Sequence, residues 1–184
     1  MLTLTITQII LMTPLLAYLC ISDWRKRILP GAWVGCLAAT GLIVDVCFGG
    51  WRMGVTGLLC GLACGLFLLI PFLLEGAGGG DLKMIAACGI WMGKFDVIPF
   101  LVFTCIAGFL LASSLLLAGH LTMARIKHYL RILFDWRYDR KAGREALPPK
   151  DDRRCGVPFG IAIACGVWML FILRIRLLQT QTPI

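Results

Sequence analysis

Residues 53–74 read MGVTGLLCGLACGLFLLIPFLL, 22 positions without an Asp, Glu, Lys or Arg. Coiled as a helix this run extends about 33 Å, the depth of a bilayer's hydrocarbon core. Three further stretches carry no charge inside them: Thr3 to Ser22, Val97 to Arg125 and Gly156 to Leu173. Gly31 to Gly50 fits as well, with one internal acid at Asp45. The whole chain is 59% hydrophobic and only 15% charged, with a mean hydropathy of +0.87. A soluble domain carries about 25% charged residues. The expected fold class is therefore all-α, a polytopic transmembrane helical bundle of about six spans forming one domain over residues 1–184.

The six helices fall at about 3–22, 31–49, 53–74, 82–94, 97–122 and 156–173. The fourth is short, because Lys83 and Lys94 bracket only ten uncharged residues. Even residues 81–95 reach only about 22 Å. That length suits a short crossing with snorkelling lysines or a re-entrant segment. Charge decides between them. With six crossings and the N-terminus outside, the loops at 23–30, 75–83 and 123–155 face the cytoplasm and hold three, one and ten of the Lys and Arg residues. The opposite side holds four: Arg52, Lys94, Arg174 and Arg176. A fourth segment that failed to cross would put the ten-charge loop outside, against the positive-inside bias. The segment is therefore expected to cross.

The N-terminal run has no basic region before it and no small-residue cleavage signature, and Arg25, Lys26 and Arg27 follow it instead. It is expected to be a retained span whose C-terminal end faces the cytoplasm. In the loop at 123–155, Met123, Ile126, Leu130, Leu133 and Phe134 recur at helical spacing among basic residues. This is a basic amphipathic continuation suited to anionic lipid headgroups. Asp135 to Asp152 then turns polar around Pro148-Pro149, leaving no room for a separate soluble domain. Of nine cysteines, eight lie within apolar stretches and none forms a CxxC pair. They read as small packing residues, and no metal, cofactor or nucleic-acid partner is expected.

Five of the ten acids lie in the basic loop, and the other five lie in or beside spans. An acid inside a membrane is costly and so is a functional candidate by default. Asp45 stands toward the outer end of the second helix and Glu75 at the inner end of the third; both read as interfacial or polar-packing groups. Taken singly, Asp23 reads as a boundary charge beside Arg25, Lys26 and Arg27, and Asp81 as the N-cap of the fourth helix. Taken together they fall on one membrane face. Asp81 follows Gly76-Ala77-Gly78-Gly79-Gly80, whose bare backbone offers a substrate peptide close approach and hydrogen bonds. Gly78, Gly79 and Gly80 are accordingly the candidate substrate-binding residues. Two neighbouring carboxylates cannot both ionise easily, so one keeps a proton; the pair could then activate water and protonate a scissile carbonyl. His120 and His128 show no ligand spacing, and no GxSxG, HExxH or phosphate loop occurs.

Three motifs carry a family resemblance. Gly78-Gly79-Gly80-Asp81-Leu82-Lys83 resembles the GxGD-x-K motif of the type IV prepilin peptidases. Asp23-Trp24-Arg25-Lys26-Arg27-Ile28-Leu29-Pro30 is similar to that family's first aspartate segment, and Val157-Pro158-Phe159-Gly160-Ile161-Ala162 to the opening of its last helix. The resemblance implies an aspartic endopeptidase of the bacterial inner membrane that removes the basic leader of prepilins or pseudopilins at the cytoplasmic face. By motif, Asp23 and Asp81 are its catalytic pair, and Gly78 and Gly80 shape the loop before the second acid. Ile-Leu-Pro-Gly stands where the family has Ile-Pro-Asn. The paired CxxC motifs of longer members, and the domain that carries them, are absent, so a short cleavage-only member is implied. Competing readings are a small ion-coupled transporter using Asp23, Asp45 or Glu75, and a non-enzymatic membrane subunit of a pilus or secretion assembly.

Overall fold

The uncharged runs form helices: α1 (Leu2–Lys26), α2 (Gly31–Leu73), α3 (Gly79–Ile90), α4 (Val97–Leu117) and α5 (Phe159–Thr180). The computed structural model describes residues 2–26, 29–73, 78–118 and 159–180, and among these no strand occurs. The basic loop expected at 123–155, Glu75, His120, His128 and the first two residues of the Val157–Ala162 motif lie outside the described residues.

At 43 residues α2 would be about 65 Å long if straight, twice the hydrocarbon depth. It is not straight. Gly50 has φ 67° and ψ −170°, a conformation that glycine adopts without steric cost. Beyond it the chain folds back. A Cβ on Gly54 would lie 2.6 Å from Val46 Cγ2 and 3.5 Å from Leu42 Cδ1. Along a straight helix those residues would be about 12 and 18 Å away. α2 is thus a helical hairpin with arms at 31–49 and 51–73.

Among the described residues four helices, α1, α2, α4 and α5, are long and apolar enough to cross a membrane, α2 with two arms, so the expected count of about six spans is slightly high. The second and third expected segments are the two arms of α2, joined at Gly50, and the fourth, α3, falls short with only 12 residues. Their outward side chains are those of an inside-out protein. Ile10, Leu59 and Ile70 are each at least 60% exposed, on surfaces suited to lipid.

The short α3 is instead the most enclosed element. Met84, Ile85 and Cys88 are fully buried, as are Trp91 and Met92 just beyond it. It packs on α2 through backbone. A Cβ on Gly61 would lie 2.7 Å from Ile90 Cγ1 and 2.8 Å from the Ala86 carbonyl, and one on Gly89 would lie 2.9 Å from Gly61 Cα. Lipid tails are as apolar as leucine, so close van der Waals contact along small residues is what holds such helices together. Two buried hydrogen bonds fix the far end. Trp91 Nε1 donates to the Leu37 carbonyl at 2.8 Å, and Gln8 Nε2 donates to the Trp91 carbonyl at 3.1 Å.

Arg174 of α5 reaches the same end, where it pairs with Asp96 and donates to Gln8 Oε1 at 3.0 Å. At the other end Gly160 of α5 meets Asp23 of α1. Gln8 to Asp23 is about 22 Å of helix and Gly160 to Arg174 about 21 Å, so α1 and α5 run antiparallel and are tied at both ends. Residues 1–108 and 158–184 form one unit that contains all of this packing. Residues 109–157 form a second unit, whose described part is the remainder of α4 and Ala118.

Gly61→Val should therefore cost about 1–3 kcal/mol, because its branches must displace the α3 backbone. Thermal unfolding in detergent micelles should show a lowered midpoint; an unchanged midpoint would contradict the close α2–α3 approach.

Candidate active site

Asp23 lies in the last turn of α1 and is only 5% exposed. A buried carboxylate requires donors from the protein. The structure supplies one at the start of α5, where the Gly160 N–H donates to Asp23 Oδ2 at 2.9 Å. Gly160 is the second residue of that helix, so its N–H has no acceptor within the helix, and the positive end of the helix dipole points at the acid. Cys20, on the same side of α1, donates its thiol to the Gly160 carbonyl at 3.8 Å. Residue 160 has to be small: a Cβ there would lie 2.8 Å from Asp23 Oδ2.

Asp81 is the third residue of α3, outside the four spanning helices. It was expected as an N-cap. The cap is instead Gly78, extended at φ −80° and ψ 148°, and Asp81 reaches back to it. The Gly78 N–H donates to Asp81 Oδ2 at 3.2 Å, the return half of a capping box in which the cap residue has no side chain of its own. Gly79 and Gly80 form the first turn of α3. A Cβ on Gly80 would lie 3.0 Å from the Leu29 Cβ, so the helix start is pressed against the chain leaving α1. That contact brings Asp81 to the Asp23 end.

The two acids interact. The Asp81 pKa is pushed up to about 6, first by burial and then by the negative charge of Asp23, while the Gly78 amide opposes the rise. The charge of one carboxylate thus makes the other harder to ionise, which gives a pair able to share one proton near neutral pH. An ionised carboxylate beside a protonated one can take a proton from water and donate one to a carbonyl.

The other acids are placed elsewhere. Asp45 is 3% exposed, packed against Gly57 across the α2 hairpin and close enough to Arg174 to feel its charge. It belongs to the Gln8 end of the bundle, the polar-packing role of the two expected for it, and lies apart from the pair. Glu75 lies outside the described residues. Of the candidate glycines, Gly78 serves Asp81, Gly80 serves the contact with Leu29, and Gly78 and Gly79 are exposed beside the acid. Reading the sequence did not find the Gly160 amide as the partner of Asp23. Its only signal is a glycine immediately after Pro158-Phe159 at the opening of a span.

Residues 10–113 match the profile of the type IV leader peptidase family. The matched region includes Asp23 and Gly78 to Asp81 and ends before α5. No curated protein and no solved structure matches the chain.

Removing the acceptor should release the amide it holds. In Asp23→Ala, hydrogen exchange at Gly160 N–H should accelerate about 10- to 100-fold, the equivalent of a hydrogen bond to a charged group. Residue-resolved NMR in micelles would measure it, and unchanged protection would contradict the assigned bond.

Proposed function

The chain belongs to the type IV leader peptidase family, and on that premise we propose a membrane-embedded aspartic endopeptidase that removes the leader peptide of type IV prepilins or pseudopilins. The observation that carries this reading is that Asp23, in the last turn of α1, and Asp81, in the first turn of α3, come from separate helices to one end of the bundle, where Gly80 abuts Leu29.

Asp23, held by the Gly160 amide, accepts a proton from the attacking water. Asp81, protonated because burial and Asp23 oppose its ionisation, donates to the scissile carbonyl oxygen. The tetrahedral diol then collapses: its nitrogen takes the proton from Asp23 and leaves as the new N-terminus, and one of its hydroxyls returns a proton to Asp81. The amides of the first turn of α3, beside the exposed Gly78 and Gly79, offer hydrogen bonds to the leader backbone.

Cleavage takes place at the cytoplasmic face of the bacterial inner membrane. Arg25 and Lys26 follow Asp23 directly, and the positive-inside bias puts that end of α1 in the cytoplasm. Arg174, which the charge count placed on the opposite side, is neutralised there by Asp96. A prepilin whose apolar helix remains in the bilayer presents its basic leader at this same face.

Asp23→Asn and Asp81→Asn should each lower leader removal from a purified prepilin by about 10²–10⁴-fold or more, while both proteins still insert and unfold cooperatively. Normal processing by either variant would contradict the two-acid mechanism.

A further inference from the structure

One face of the bundle is not covered by the described residues. Between the two arms of α2 and α3 runs an apolar groove of about 620 Å³. Gly31, Gly35 and Ala38 line it from the first arm, Gly65 from the second, and Leu82 and Ala86 from α3. Lys83 is the one charged residue in its lining.

Two glycines separate this groove from an ordinary packing seam. A Cβ on Gly61 would strike Ile90 and the α3 backbone, so internal packing accounts for that glycine. A Cβ on Gly31 or Gly35 would meet nothing within 4 Å, and both residues are exposed. Four residues apart, they share one face of the helix. Gly31 opens the helix; at Gly35, inside it, glycine carries an entropic cost, and nothing within the described chain requires it there. What uses such a surface is a second helix approaching closely from the membrane side, as small residues spaced by four permit. A lipid chain adapts to side chains of any size and asks for no glycine.

The groove leads to the acid pair. Leu82 and Lys83 directly follow Asp81 in the chain, and Gly31 stands two residues beyond Leu29, which abuts Gly80. The groove is apolar along its length and charged only at the end beside the acids. A single-span protein has that same pattern, apolar within the bilayer and polar where it emerges. We infer that this groove seats the apolar membrane helix of the substrate and delivers the adjoining leader to Asp23 and Asp81, an inference that rests on the peptidase reading above. Gly35 is then a specificity-determining residue: it touches the substrate helix away from the reacting atoms.

The test uses the full chain in liposomes with a purified type IV prepilin. Gly35→Leu fills the groove where no atom of the fold stands, so kcat/KM for prepilin cleavage should fall at least tenfold, through KM, with the unfolding midpoint unchanged. In an Asp81→Asn background, which retains substrate, photoreactive p-benzoylphenylalanine at position 35 should crosslink to the prepilin. The same probe at position 10, on the exposed side of α1, should not. Full activity of Gly35→Leu with no crosslink would overturn the groove and leave the peptidase reading standing. Crosslinking only to lipid, or only to a second copy of this chain, would overturn it as well. A prepilin crosslink in a protein whose Asp23 and Asp81 cleave nothing would support the groove and remove the peptidase reading.

Discussion

A carboxylate shut away from water at the end of a membrane helix depends on the protein for its hydrogen-bond donors, and for Asp23 one of these is the Gly160 amide. A hydrogen bond to a charged group contributes about 1.5–3 kcal/mol, and leaving the acid without it costs more. The constraint reaches well beyond the two residues. It requires α5 to begin at the level of Asp23 and residue 160 to lack a side chain. With α5 antiparallel to α1, it carries Arg174 to the depth of Gln8, where the arginine finds Asp96 as well. The polar contacts at the two ends are therefore one arrangement, set by the matched distances along two helices.

Within that frame α3 is positioned by close approach rather than by length. Its 12 residues are too few to cross as an independent span, yet its end contacts reach Leu29 on one side and, through Trp91, Gln8 on the other. Gly57, Gly61 and Gly89 allow backbone to touch backbone along α2. At the other end of α3 the burial of Asp81 and the charge of Asp23 together raise the Asp81 pKa. Packing and chemistry are joined here.

The all-helical membrane fold was legible because uncharged runs of bilayer length leave few alternatives, and Asp23 and Asp81 stood out as candidates because an acid in or beside a span is costly. What could not be read was how the runs connect. Gly49-Gly50 marks a break, but only the left-handed φ at Gly50 makes that break a hairpin within α2. Taken singly, Asp81 reads as an N-cap from residue preference; Gly78 takes that position, and the acid caps from the third residue of the helix. For Asp45, with an interfacial and a polar-packing role both open in the sequence, the contact with Gly57 and the nearby charge of Arg174 select the second, a tertiary fact without a local signature. The Gly160 amide was invisible for a related reason: a backbone donor carries no residue-type signal, and its acceptor lies 137 positions away.

The coupling of the two acids is measured most directly by titrating Asp81 itself. Isotope-edited infrared spectroscopy on proteoliposomes containing labelled aspartate isolates its carboxyl band by subtracting the spectrum of Asp81→Asn. In the wild type the band should titrate near pH 6. In Asp23→Asn a neutral amide replaces the charge that opposes deprotonation, so the midpoint should move down toward the ordinary carboxylate range. A midpoint unmoved by Asp23→Asn would contradict a coupled pair.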